Sequence, residues 1–295
     1  MARLALISDS GQREIYNYTG TGWSTGGKLL SFTVKDGGVT ELTYSEEPKA
    51  KEYKPVKLKN YDGGYFSMKI PEGWKIEVGG KYTSFCFRIY DPDDPSSQVF
   101  YYGNLVPFHK SELARSYWAK QDKTIGAAPV LSSHDIIGIL NCWNYTISFM
   151  NALDFAPAFP SLYNMSLLGG SYFKSSMYKG LADSESVCVI TCDTDWDQDC
   201  RLTVAGTLVD FDTKNNYGGN YYYNVINLYG ILAPEGRYDQ VFDSLQECVK
   251  SLTFTNAYIQ EAKKNKEAMA SNASRTAYLK YLAGVMESCW ESFGK

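Results

Sequence analysis

Four groups of residues have side chains whose type and spacing could do chemistry. Gly22-Trp-Ser-Thr-Gly26-Gly27-Lys28-Leu29 fits the GxxxxGK half of a phosphate-binding loop. Such a loop needs Ser or Thr at its eighth position to hold Mg²⁺, and it must open a helix whose N-terminal amides face the phosphates. The eighth residue here is Leu29, and residues 29–34 are aliphatic, aromatic and β-branched before the hairpin turn Asp36-Gly37-Gly38. The glycines are therefore read as turn residues between strands, not as a nucleotide cradle. Gly20-Thr-Gly22 followed by Gly26 also misses the GxGxxG spacing.

Asp193, Asp195, Asp197 and Asp199 alternate as the first ligands of a calcium loop do. The sixth position, where a sharp turn needs glycine, is Gln198, and the twelfth, where a bidentate glutamate belongs, is Val204. The segment also joins two strands instead of two helices. It reads as a solvated acidic turn with no metal, and these four carboxylates are the candidate ligands if a cation is held. Cys188, Cys192 and Cys200 lack the CxxC knuckles of a zinc site. Cys188 and Cys192 share one face of a strand, so packing or a hairpin thiol pair is expected. The two histidines, His109 and His134, stand in no nucleophile motif such as GxSxG. No catalytic residue and no cofactor is expected.

Those residues must be positioned by a chain of 295 residues, long enough for one large domain or two ordinary ones. Lys and Arg total 29 against 33 Asp and Glu, a net charge of −4, and no RNP-like string is present, so nucleic-acid binding is excluded. No run approaches the ~18 apolar residues of a membrane span. The first residues lack the h-region of an export signal. Seven cysteines are an odd number and make no disulfide framework.

Residues 1–44 read as a small β appendage of strands at 13–18, 29–34 and 39–44. The charged, proline-punctuated stretch 45–60 reads as a linker. From residue 61, strands are expected at 65–70, 75–78, 85–90, 98–102, 187–192, 202–210 and 221–232. Helices are expected at 111–120, with Leu113, Tyr117 and Trp118 on one side, and at 133–150, where Ile136, Leu140, Trp143 and Ile147 share a stripe. A third spans 238–252, and a long helical pattern at 258–293 breaks near 271–274. Strands joined by short turns and mixed with helices predict an α+β fold with a mainly antiparallel central sheet sandwiched by helices.

One ordered set of motifs is familiar. Tyr65-Phe-Ser-Met-Lys-Ile-Pro71-Glu-Gly-Trp74 resembles the opening of PsbP-like and DcrB-like domains. Phe87-Arg-Ile-Tyr-Asp-Pro92, Gly138 with Trp143, and Tyr229-Gly-Ile-Leu-Ala-Pro234 look like a set found in Firmicutes surface lipoproteins of that fold. Ser251-Leu-Thr-Phe254, Tyr258 and Glu287 through Trp290 are similar to their C-terminal half. The resemblance spans about residues 61–293. It implies an antiparallel sheet between helices at 61–254, a C-terminal helical segment at 255–295 and an extracytoplasmic, cell-surface location. It implies no enzyme, no cofactor and no binding residues. The family's leader and lipobox cysteine have no counterpart in these residues.

The reading that follows is a non-enzymatic binding or cell-envelope-associated protein of unknown ligand. Its alternatives are a hydrolase using His109 or His134 and a calcium-dependent adhesion module using Asp193–Asp199. Tyr278, Leu282, Val285, Cys289 and Phe293 step by four, three, four and four, giving one apolar helical face. That face is the candidate surface for a protein partner or self-association, the other possibility being packing on the chain's own sheet.

Overall fold

The segments 99–102, 187–192 and 228–233 are apolar at nearly every position, the pattern of strands buried on both faces. A computed structural model of the chain puts them in the middle of one sheet. The structure describes residues 3–7, 13–18, 23–25, 28–35, 38–46, 53, 55–153, 156–197, 199–210, 222–265 and 272–294. The chain divides into two units, Met1–Lys54 and Pro55–Lys295.

The first unit is an antiparallel meander of β1 (Arg3–Ile7), β2 (Arg13–Tyr18), β3 (Trp23–Thr25), β4 (Lys28–Lys35) and β5 (Gly38–Glu46), paired in chain order. Thr25 faces Lys28 across the β3–β4 pairing, so the lysine of the phosphate-loop lookalike opens a strand and no helix follows it. Gly22, Gly26, Gly27 and the turn residues Asp36 and Gly37 lie outside the described residues.

The second unit begins with β6 (Leu58–Asp62), inside the stretch expected as linker, then β7 (Phe66–Pro71), β8 (Lys75–Gly79), β9 (Cys86–Asp91) and β10 (Asp94–His109). Helices α1 (Glu112–Gln121), α2 (Lys123–Gly126), α3 (Ile136–Asn141) and α4 (Trp143–Asn151) follow. Then come β11 (Tyr163–Tyr172), β12 (Ala182–Asp193), β13 (Cys200–Asp210), β14 (Tyr222–Pro234), α5 (Glu235–Lys250), β15 (Thr253–Phe254), α6 (Asn256–Lys264) and α7 (Asn272–Phe293). Seven strands form one antiparallel sheet in the order β11-β12-β13-β14-β10-β9-β8, and β15-β7-β6 form a second. The fold is α+β with an antiparallel central sheet and a C-terminal helix.

Alternate side chains of the large sheet feed two cores. Val99, Tyr101, Val189, Ala205 and Ile231 point to a layer made by α5, α7 and the apolar side of β7. Phe100, Tyr102, Ile190, Val204 and Leu232 point to the opposite layer, built by α3 and α4 around Trp143. Gly230 sits opposite Phe100, and a Cβ there would lie 2.2 Å from the phenyl ring, so only glycine lets the ring cover the strand. The Pro71-to-Trp74 turn has Gly73 at φ +83°, with Trp74 N–H donating to Pro71 O at 3.2 Å, the geometry of a type II turn.

Several local expectations fail for identifiable reasons. The expected helix 133–150 is two helices: at Cys142 the backbone tightens, its N–H reaching Ile139 O at 3.0 Å, and beyond it Trp143 is wholly buried. Ser111 does cap α1, accepting from Ala114 N–H at 3.2 Å. On the side of α1 that carries Leu113 and Tyr117, Leu113 is 81% exposed and Tyr117 half-open, and the buried residue of the helix is Ala114. β11 has no signal in the sequence because it is an edge strand open on both faces and interrupted by Gly169 and Gly170, so it shows no alternation.

Candidate functional site

His134 ends the loop before α3, Asp183 lies near the start of β12 and Tyr223 lies near the start of β14. The sheet and the loop packed on its edge bring together three residues that lie 40 and 89 positions apart. The Tyr223 hydroxyl is 3.0 Å from His134 Nδ1 and donates to Asp183 Oδ2 at 2.9 Å. The hydroxyl has one hydrogen and the carboxylate can only accept, so Nδ1 carries the proton it gives to Tyr223. The ring is exposed, and its Nε2 is turned away from this bond. The Lys110 ammonium stands 5.0 Å from the centre of the Tyr223 ring.

This chain of groups lies along a cleft of about 880 Å³ whose lining includes His134, Tyr172, Phe173, Tyr178, Lys179 and Asp183. Its floor is fixed by Glu185, buried, whose two oxygens accept from the backbone N–H and hydroxyl of Ser175, each at 2.6 Å. Tyr172 closes β11 with 71% of its surface open, yet its hydroxyl is held by Asp135 Oδ2 at 2.6 Å. Asp135 in turn caps α3, accepting from the N–H groups of Ile137 and Gly138 at 3.1 Å. Burial raises the Asp135 carboxyl, but these bonds and those from Ser133 and Tyr172 outweigh it and hold the group below its ordinary value. An exposed aromatic ring is thus clamped in one orientation beside a donor–acceptor relay.

His109 has a different environment. Its ring is fully buried, with Nε2 2.7 Å from Ile125 O, so Nε2 carries the hydrogen and the residue pins the 125–131 loop to β10. Burial pushes its pKa below the imidazole norm, the bond to Ile125 opposing in part. It does not line the cleft beside His134.

The acidic turn directs its carboxylates to separate partners. Asp193 accepts from Asn164 Nδ2 at 2.6 Å and from the Asp199 N–H at 3.1 Å, and Asp195 accepts from the Tyr163 hydroxyl at 2.5 Å. Asp197 faces the buried Asp94. Thr194 staples the turn through Asp197 N–H at 3.0 Å and Ser96 Oγ at 2.6 Å. Among the described residues no three His, Cys, Asp or Glu side chains converge as a metal site would require; Gln198 lies outside them.

On α7, Tyr278, Leu282 and Cys289 are buried in the core beneath the sheet, with Val285 half-buried against it. Phe293 keeps 41% of its surface, and its ring occupies the space a side chain on Gly169 would need. The buried stripe is completed by Leu279, Met286 and Trp290, whose Nε1 donates to Asp239 at 3.1 Å. Three of the five candidate docking residues are therefore used within the chain's own core.

The residues the sequence did not single out are Tyr172, Asp183 and Tyr223. Tyrosines number 24, so no local signal separates these two from the rest. No family model matches the chain, and no curated protein matches it. Among solved structures it is similar to the solution structure of cyanobacterial PsbP (CyanoP) from Synechocystis sp. PCC 6803, at 9% identity over 70% of this chain and 98% of that one, with a TM-score of 0.27.

Proposed function

We propose that the chain is a non-enzymatic binding module, that its ligand site is the cleft around Tyr172 and His134, and that the ligand is a small hydroxyl-rich ring of the carbohydrate class. The observation that carries this reading is Tyr172: a ring 71% open to solvent and locked by its own hydroxyl is a ready stacking platform. Next to it, Asp183 can accept from ligand hydroxyls, the His134 imidazole presents Nε2, and exposed Lys179 supplies a donor. A binding role is favoured over hydrolysis because His134 bonds a tyrosine hydroxyl, which already donates to a carboxylate, and not a serine or thiol. The resemblance noted in the sequence would put such a module at the cell surface.

The two histidines make a direct test. Glucose, N-acetylglucosamine and their short oligomers are titrated into the full chain while the imidazole C–H resonances are followed by NMR. Saturable movement of the His134 signals, with those of buried His109 unmoved as the internal control, is expected. Tyr172→Ala should abolish that movement without changing the melting temperature by more than a few degrees. No shift of His134 with any of these sugars at millimolar concentration sinks the proposal.

A further inference from the structure

Cys192 and Cys200 are direct cross-strand partners at the end of the β12–β13 pairing, flanking the acidic turn. Both are buried on the α3–α4 face of the sheet. Opposed residues in an antiparallel pair have Cα atoms roughly 4.5 or 5.5 Å apart, depending on the hydrogen-bonding site. Both values fall in the roughly 4.4–6.8 Å range that a disulfide spans. The other cysteines lack this relation: Cys188 faces Val204 and Gly170, Cys86 faces Gly79 and Tyr102, and Cys142, Cys248 and Cys289 belong to helices or their ends.

We infer that Cys192 and Cys200 are an oxidisable pair that closes a disulfide across the base of the acidic turn when the protein meets a low-molecular-weight disulfide oxidant. The thiolate of one cysteine attacks a sulfur of the oxidant, forming a mixed disulfide and releasing one small thiol. The second cysteine's thiolate attacks the protein sulfur of that mixed disulfide, forming the Cys192–Cys200 bond and releasing the second small thiol. Two electrons pass from the protein sulfurs to the oxidant, and the two protons end on the released thiols.

Burial sets when this happens. It pushes the Cys200 thiol up to about 12, and Cys192 higher still, so the packed pair holds almost no thiolate at neutral pH. The pair is the last rung beside a turn whose Asp195, Trp196 and Asp199 are exposed, so local opening of that end of the hairpin, against the bonds of Thr194 and Asp193 that hold the turn, is what uncovers it. The bond therefore forms during folding or local opening and is then sealed under the core. It reports the compartment in which the chain folded, since exported proteins meet disulfide oxidants and cytosolic ones do not.

The test uses the full chain, refolded from reducing denaturant into either oxidised or reduced glutathione buffer. Thiols are then blocked with N-ethylmaleimide in denaturant and counted by mass spectrometry. The oxidised sample should carry two fewer adducts than the reduced one. Cleavage at the turn aspartates should leave two peptides joined through Cys192 and Cys200, and the melting temperature should rise. Full alkylation after oxidised refolding, a glutathione adduct without a protein link, or a link between other cysteines would each overturn the inference. Because the decisive count is made on the unaltered chain, it does not depend on whether Cys192→Ala or Cys200→Ala folds; where they fold, neither should show the rise.

Discussion

Arg237 lies 5.4 Å from the Trp74 ring centre and divides its guanidinium between Asp94, at 2.9 Å, and Asp91, at 2.7 Å. Both Arg237 and Asp94 are buried, so removing the cation strands a carboxylate away from water. Arg237→Met should cost about 3–5 kcal/mol in urea unfolding, the range for breaking a buried pair from one side. The Asp94 carboxyl lies above its ordinary value because burial raises it and Asp197 opposite adds to that, against bonds from Ser97 and Arg237. A raised folded pKa means the fold holds that proton more tightly, so the contribution is full below about pH 4 and is lost as pH rises through the raised value. Asp135, held low, behaves oppositely: its contribution is present above about pH 4 and is lost as pH falls through the depressed value. Urea midpoints measured against pH should therefore lose slope above that point in Asp94→Asn and below it in Asp135→Asn; unchanged slopes would refute both assignments. The long-range partnerships are not legible in the sequence. Arg237 meets carboxylates 143 and 146 positions away, and His134 meets Tyr223 at 89, so only the packing of helix and loop on the finished sheet brings them together.

At the scale of elements, legibility followed burial. β7, β9 and β14 announce themselves because they are rich in aromatic and β-branched residues, and β7 has a face, Phe66, Met68 and Ile70, that is apolar throughout. β10 runs well past the expected 98–102, since its first turn is polar and Pro107 interrupts the pattern. The register shift between Leu105 and Phe108 is what admits that proline into an interior strand. Periodicity found the apolar faces of α1 and α7 equally well but could not say what covers them. The structure separates the two: Leu282 is wholly buried between α7 and the sheet, whereas Leu113 stands 81% exposed. Leu282→Asp should cost several kcal/mol and lower the melting temperature sharply, because it puts a charge where nothing can pair it. Leu113→Asp should stay within about 0.5 kcal/mol of the parent. Equal effects from the two substitutions would mean that α7 does not dock as described.

The whole molecule is two units joined near residues 54 and 55. Each strand of the first unit pairs only with its neighbours in sequence, so every contact that defines that meander is local. The second unit closes its large sheet by pairing β10 with β14, segments more than a hundred residues apart, and packs α5 and α7 over it. Among the described residues, both apolar cores draw on positions from Val56 onward and none on 1–54. A fragment that begins at residue 55 therefore keeps every described residue of both cores. A fragment of residues 55–295 should give the same cooperative thermal transition as the full chain, within a few degrees, when followed by far-UV circular dichroism. A fragment starting at residue 64 is the informative contrast: it lacks β6, whose five residues pair with β7 from Leu58↔Pro71 to Asp62↔Ser67. That leaves β7 unpaired on one side, uncovers the layer over Met68 and Ile70, and should lower the midpoint clearly. If the 55–295 fragment instead melts well below the full chain, the first unit contributes to the stability of the second, and the division at residue 54 is not a folding boundary.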